Sequence, residues 1–157
     1  MAIIVLLRGI NVGAAGTLVV RRPHSHARLR AALRARLPVG AAFVLCESRE
    51  LLRLAAEYPF EQPPPDGTTR FVSFLERRAR VPPQLPLTIP RGQDWFVRVT
   101  MLTNRLAVGE YRRDMKTIGY LGHLDAIFGT LVTTRSWNTV NAIVRLLQHD
   151  RGRSARR

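Results

Sequence analysis

The chain has 157 residues, enough for one domain or for two very small halves sharing a core. Its apolar fraction of 46% argues against wholesale disorder, no apolar run is long enough to cross a bilayer, and a single cysteine rules out an internal disulfide. The outlying quantity is charge: 25 Lys and Arg face 11 Asp and Glu, a formal +14, and only one of the bases, Lys116, is a lysine. Coding composition can exchange lysine for arginine, but it does not remove acids. The excess should therefore attract polyanions with an affinity that falls as salt rises.

Ile3 to Leu7 reads as a strand buried on both faces. The apolar stretch Ala2–Leu7 ends at Arg8 with no basic segment before it, too early for a secretory signal, so a cytoplasmic protein is expected. Gly9, Asn11, Gly13 and Gly16 mark a turn into a second strand, Thr17–Arg21, which could pair with the first as a hairpin. Ser25 can cap a helix from His26 to Leu37, with Leu29, Leu33 and Leu37 on one face and Arg28, Arg30, Arg34 and Arg36 on others. Ala41–Cys46 reads as a strand whose thiol is buried and inert, and Ser48 opens a helix that Pro59 stops.

Arg70–Leu75 is the next strand. Residues 77–92, with Pro82, Pro83, Pro86 and Pro90, read as a linker. Trp95, Val97 and Val99 alternate with Phe96, Arg98 and Thr100, and Thr103–Arg105 turns the chain into Leu106–Tyr111, a β-hairpin pattern. A basic loop, Arg112–Thr117, precedes a helix over Tyr120–Phe128 that ends at Gly129. Leu131–Val132 then leads into a polar turn, Thr133–Thr139, around Trp137. The helix that follows places Val140, Ile143, Val144 and Leu147 on one face. Residues 149–157 read as a basic, disordered tail. Strands and helices mixed in this order point to an α+β fold with antiparallel or mixed sheets.

Three segments resemble one bacterial family, number 1697 among the domains of unknown function. They are Leu6–Gly13 (Leu-Leu-Arg-Gly-Ile-Asn-Val-Gly), Leu51–Phe60 with its Tyr-Pro-Phe ending, and Thr133–Thr139 (Thr-Thr-Arg-Ser-Trp-Asn-Thr). The resemblance implies two small ferredoxin-like units in tandem and carries no established activity. Family members usually follow Arg-Gly-Ile-Asn-Val-Gly with a helix and a strand ending in Ser-Gly-Asn-Val-Val. Here Gly13 runs almost at once into Ala15-Gly16-Thr17-Leu18-Val19-Val20, so the first unit is expected to be truncated. Position 136 is Ser where the family usually has Asn. The expected organisation is a truncated unit over 1–76, a linker over 77–92, a second unit over 93–148 and the tail. A sheet stripped of a helix and a strand needs cover, so a homodimer through the first unit is expected.

Two sets of residues are candidate sites. Arg8 and Asn11 near the start, with Thr134, Arg135, Ser136 and Asn138 near the end, could hold a phosphate or carboxylate. The alternative is that Ser136 or Asn138 caps a helix while Trp137 packs inward. Tyr111, Arg112, Arg113 and Lys116 could hold a nucleic-acid backbone beside a stacking ring, or could be a solvated loop. Asp114 and Asp125 are acid/base candidates too far apart in sequence to form a recognisable pair. No metal-ligand spacing, nucleotide motif or cofactor signature is present in the sequence. The expected function is a non-enzymatic basic domain binding nucleic acid or another anion. The alternatives are a small enzyme or ligand-binding domain for a phosphorylated or carboxylated molecule, and a protein-interaction module.

Overall fold

A computed structural model of the chain describes residues 1–8, 16–57 and 63–154. The chain forms two compact units, Met1–Pro59 with Val144–Arg157 and Phe60–Ile143. Both are α+β, and both sheets are antiparallel.

The first unit contains β1 (Ile3–Arg8), β2 (Thr17–Val20), α1 (His26–Arg36), β3 (Ala42–Glu47) and α2 (Ser48–Glu57). Its sheet runs β2-β1-β3, with Val5 of β1 opposite both Leu18 and Leu45. The apolar run Ile3–Leu7 is the central strand, and all five side chains, which alternate between the two faces, are buried. Ile3, Val5, Leu7, Phe43 and Leu45 form a cluster against which Leu29 and Leu33 of α1, and Leu37 just beyond it, are packed. Ser25 caps α1 by accepting the Arg28 N–H at 3.2 Å. The connection β2–α1–β3 steps over β1, which is one of the two split crossovers of a ferredoxin-like unit. Among the described residues this unit shows one such crossover.

The second unit contains β4 (Thr68–Leu75), β5 (Leu87–Ile89), β6 (Val97–Leu102), β7 (Leu106–Arg112), α3 (Thr117–Gly122), α4 (Leu124–Phe128), β8 (Val132–Ser136) and the start of α5 (Trp137–Ser154). Its sheet runs β5-β6-β7-β4-β8. The chain steps over β7 between β4 and β6, and over β4 between β7 and β8, so both split crossovers of the plait are present. The second carries α3 and α4, whereas the first is an extended Pro-rich path. On one face Phe71, Leu75, Ile89, Val97, Val99, Ala107 and Val132 form a core with Leu124 and Phe128.

The structure departs from the sequence reading in five places. Thr68–Leu75, assigned to the first unit, is a central strand of the second, so the boundary falls near residue 60. The stretch 77–92 is not a linker: Leu87–Ile89 pairs with Val97–Val99 as an edge strand, a position that tolerates neighbouring prolines. The helix expected over Tyr120–Phe128 is two short helices joined at His123 and closed by Gly129, whose φ of 65° favours glycine. Thr133–Ser136 is strand, not turn, and runs directly into α5. Finally, α5 continues to Ser154 through the first residues of the expected tail.

One close approach in this sheet yields a test. A Cβ on Gly109 would run into the Arg98 carbonyl and the Phe71 ring. Gly109→Ala should therefore lower stability by about 1–3 kcal/mol, the usual range for overpacking. A urea melt showing no loss would mean the sheet can open at this point.

Candidate nucleic-acid interface

The densest arrangement of cations and rings lies where the β6–β7 hairpin meets α3. Antiparallel register sets Arg98 of β6 opposite Glu110 of β7, and Glu110 opposite Arg70 of β4. Arg98 Nη2 donates to Glu110 Oε2 at 2.8 Å, and both side chains are partly withdrawn from solvent, at 34% and 15% exposure. Immediately before β6, Trp95 presents its ring to two guanidinium groups. The Arg98 carbon lies 4.5 Å and the Arg112 carbon 4.8 Å from the ring centroid, both within cation–π range. Arg112 Nη2 also donates to the Gln93 carbonyl at 3.1 Å, and its backbone N–H to the Phe96 carbonyl at 2.8 Å. Arg98 Nε is buried without a hydrogen-bond partner among the described residues, and the indole face offsets part of that desolvation.

A second cation–ring stack adjoins the first. Phe96 lies parallel to Tyr120 at 5.2 Å between centroids, His123 meets Tyr120 edge-on at 5.7 Å, and Lys116 Nζ sits 5.9 Å from the Phe96 centroid. The loop carrying Lys116 is tied at both ends. Asp114 Oδ1 accepts the Lys116 N–H at 2.8 Å, and Thr117 Oγ1 donates to the Arg112 carbonyl at 2.6 Å. Arg113 is exposed, and its Nε donates to Thr69 Oγ1 at 3.1 Å. The expected Arg112, Arg113 and Lys116 therefore belong to one small region of the second unit. Tyr111, expected as the stacking ring, instead stacks on Phe71 at 5.9 Å and packs on the core. Trp95 and Phe96 take the ring role, with Arg98 as an additional cation that sequence reasoning did not single out.

The residues of the other candidate set are spent mostly on internal bonds. Thr134 Oγ1 pairs with Ser73 Oγ at 2.7 Å across β8 and β4. Arg135 Nη1 donates to Thr133 Oγ1 at 3.0 Å and to the Thr134 carbonyl at 2.8 Å, and its burial lowers its pKa from the ordinary arginine value. Ser136 Oγ accepts the Thr139 N–H at 3.4 Å in the first turn of α5, the capping role, while Asn138 is exposed. Arg8 closes β1 in the first unit, whereas Thr134, Arg135, Ser136 and Asn138 lie in the second; Asn11 lies outside the described residues.

The two acid/base candidates also have backbone partners. Asp125 Oδ1 accepts the Val132 N–H at 3.0 Å, fixing α4 to β8 as Asp114 fixes its own loop. Cys46 is buried, and its Sγ lies 3.8 Å from Glu50 Oε2. Among the described residues, no group of three or more His, Cys, Asp or Glu side chains could hold a metal ion, and no helix is long and apolar enough to cross a membrane. Comparison with protein-family models, curated proteins and solved structures gives no match.

The partly buried ion pair can be tested alone. Glu110→Gln leaves the Arg98 charge without its carboxylate and should cost about 1–2 kcal/mol, whereas replacing both residues with apolar groups should recover part of the loss. Urea unfolding of the single and double variants reads the difference. A double variant no more stable than Glu110→Gln would mean that the loss does not come from leaving the Arg98 charge unpaired.

Proposed function

We propose that the second unit binds single-stranded nucleic acid through Trp95, Phe96, Arg98, Arg112, Arg113 and Lys116. The observation that supports this most is the pair of guanidinium groups laid over the Trp95 ring. A guanidinium near an indole pairs a phosphate-binding charge with a ring on which a base can stack, so the two side chains together suit both parts of a nucleotide. Lys116 adds a compact charge beside Phe96. The rings and cations gather at the start of β6, the end of β7 and the loop into α3, the composition of sequence-tolerant single-strand platforms. On this reading the protein is a cytoplasmic binding domain rather than an enzyme, and it keeps its resemblance to domain-of-unknown-function family 1697.

Anisotropy of a labelled single strand, titrated across salt, tests the reading. Arg112→Gln and Lys116→Gln should each reduce the log–log salt slope by about 0.7, and Trp95→Leu should weaken binding by about 1–3 kcal/mol with little change in slope. Unchanged binding in all three variants would remove the patch from consideration. Inorganic phosphate would then probe the competing small-anion reading.

A second reading concerns assembly. β2 is an edge strand of four residues whose Leu18 is 45% exposed. An antiparallel edge can pair with its own copy about a two-fold axis, which would complete the truncated sheet. The expected result is a concentration-dependent dimer that Leu18→Lys converts to monomer. A monomer at every concentration sinks this reading and leaves nucleic-acid binding untouched.

A further inference from the structure

The patch on the second unit does not hold most of the protein's charge. The first unit carries fourteen of the 25 bases and four of the 11 acids. The densest run is Arg21–Arg36, with Arg21, Arg22, Arg28, Arg30, Arg34, Arg36, His24 and His26, and no acidic residue among them. Most of it is α1, which has no buried residue: Leu29 and Leu33 rest on the sheet half-covered, and the remaining side chains except Arg30 are exposed.

Helical spacing sorts the exposed residues into three rows. With Leu29 and Leu33 turned to the sheet, Ala27, Ala31 and Ala35 recur at i, i+4 and i+8 on the outermost line. Arg28 and Arg36 lie along one flank, and Arg30 and Arg34 along the other. Arg30 is further fixed by lying over the Phe43 ring at 5.6 Å. The outline is a ridge of methyl groups between two rows of guanidinium. Charges in the last turn, at Arg34 and Arg36, suit the helix dipole. Arg28 near the N-terminus opposes it, and Arg30 and Arg34 repel each other at i, i+4, so helix stability does not account for the pattern.

We propose that α1 docks in the major groove of duplex DNA, with its two arginine rows on the two phosphate strands. The match is one of charge and size. A helix about 10–12 Å across enters a groove about 12 Å wide. Arg30 and Arg34, one turn and about 6 Å apart, reach successive phosphates of one strand, and Arg28 and Arg36, two turns and about 12 Å apart, reach more widely spaced phosphates of the other. Double-stranded RNA is disfavoured because its deep, narrow major groove excludes such a helix. Alanines make no hydrogen bonds to base edges, so the docking carries no direct base readout and is expected to be insensitive to sequence. The proposal does not rest on the single-strand reading, since α1 and the Trp95 patch lie in different units.

The test is anisotropy of the full chain with a labelled mixed-sequence DNA duplex, and with the matching RNA duplex, across salt. Arg28→Gln with Arg36→Gln, and separately Arg30→Gln with Arg34→Gln, should each lower the DNA salt slope by about 1.8, two phosphates at about 0.9 each. Arg112→Gln should leave the duplex slope unchanged, which separates failure here from failure of the single-strand site. Ala31→Phe keeps the charge but thickens the ridge, and should weaken DNA binding about tenfold or more while circular dichroism stays helical. An unchanged slope in both double variants overturns the proposal. So does equal affinity for the two duplexes, or an Ala31→Phe variant that binds as tightly as the parent.

Discussion

The bulge at Thr100 decides which side chains of β6 face the core and which form the cationic patch. On the turn side of it, Leu102 pairs with Ala107 and Met101 with Val108; on the far side, Val99 pairs with Gly109 and Arg98 with Glu110. Without the extra residue, Arg98 would stand opposite Tyr111 on the face that packs against α3 and α4, where a guanidinium has no place. A one-residue shift exchanges the two faces of a strand, so a single insertion keeps Val97 and Val99 in the core while turning Arg98 out to Glu110. The Trp95–Arg98–Arg112 cluster follows from that choice, as does the close fit around Gly109.

This explains why the patch was only half legible from the sequence. The hairpin, its turn at Thr103–Arg105 and the basic loop at Arg112–Lys116 were readable because alternation and turn chemistry are local signals. The alternation already set Arg98 apart from Val97 and Val99, but the bulge at Thr100 that pairs it with Glu110 carries no local signal, and Tyr111 looked like the available ring. The same reasoning covers β8. Thr133-Thr134-Arg135-Ser136 looks like a polar turn because its hydroxyls appear unsatisfied. Thr134 is in fact satisfied by Ser73, sixty-one residues away, and β-branched residues suit a strand once a partner exists. Elements that depend on their own residues, such as the Ser25 cap of α1 and the Gly129 stop of α4, were visible in advance. Elements that depend on a distant partner were not.

The two units show how little net charge says about where a cation acts. Arg135 adds one formal charge like any other arginine, yet it is drawn inward and bonded to its own strand. Arg112 is partly covered as well, but by a ring and a carbonyl that leave it facing outward at the end of β7. α1 lies at the other extreme, with Arg28, Arg34 and Arg36 exposed and only Leu29 and Leu33 of the helix packed on the sheet. A formal charge read from composition averages over all three situations, whose electrostatic consequences differ in kind.

The first unit is also discontinuous in the chain, and the division at Ile143–Val144 falls inside α5. As the polypeptide emerges from the ribosome, every strand of the second sheet is available before Val144 has been made. The first unit is complete only when that last helical segment has been made, although its strands were synthesised first. Domains usually fold in the order of synthesis. Here the later unit can close first, and a stop codon upstream of residue 144 would leave the N-terminal layer, not the central one, without part of its packing.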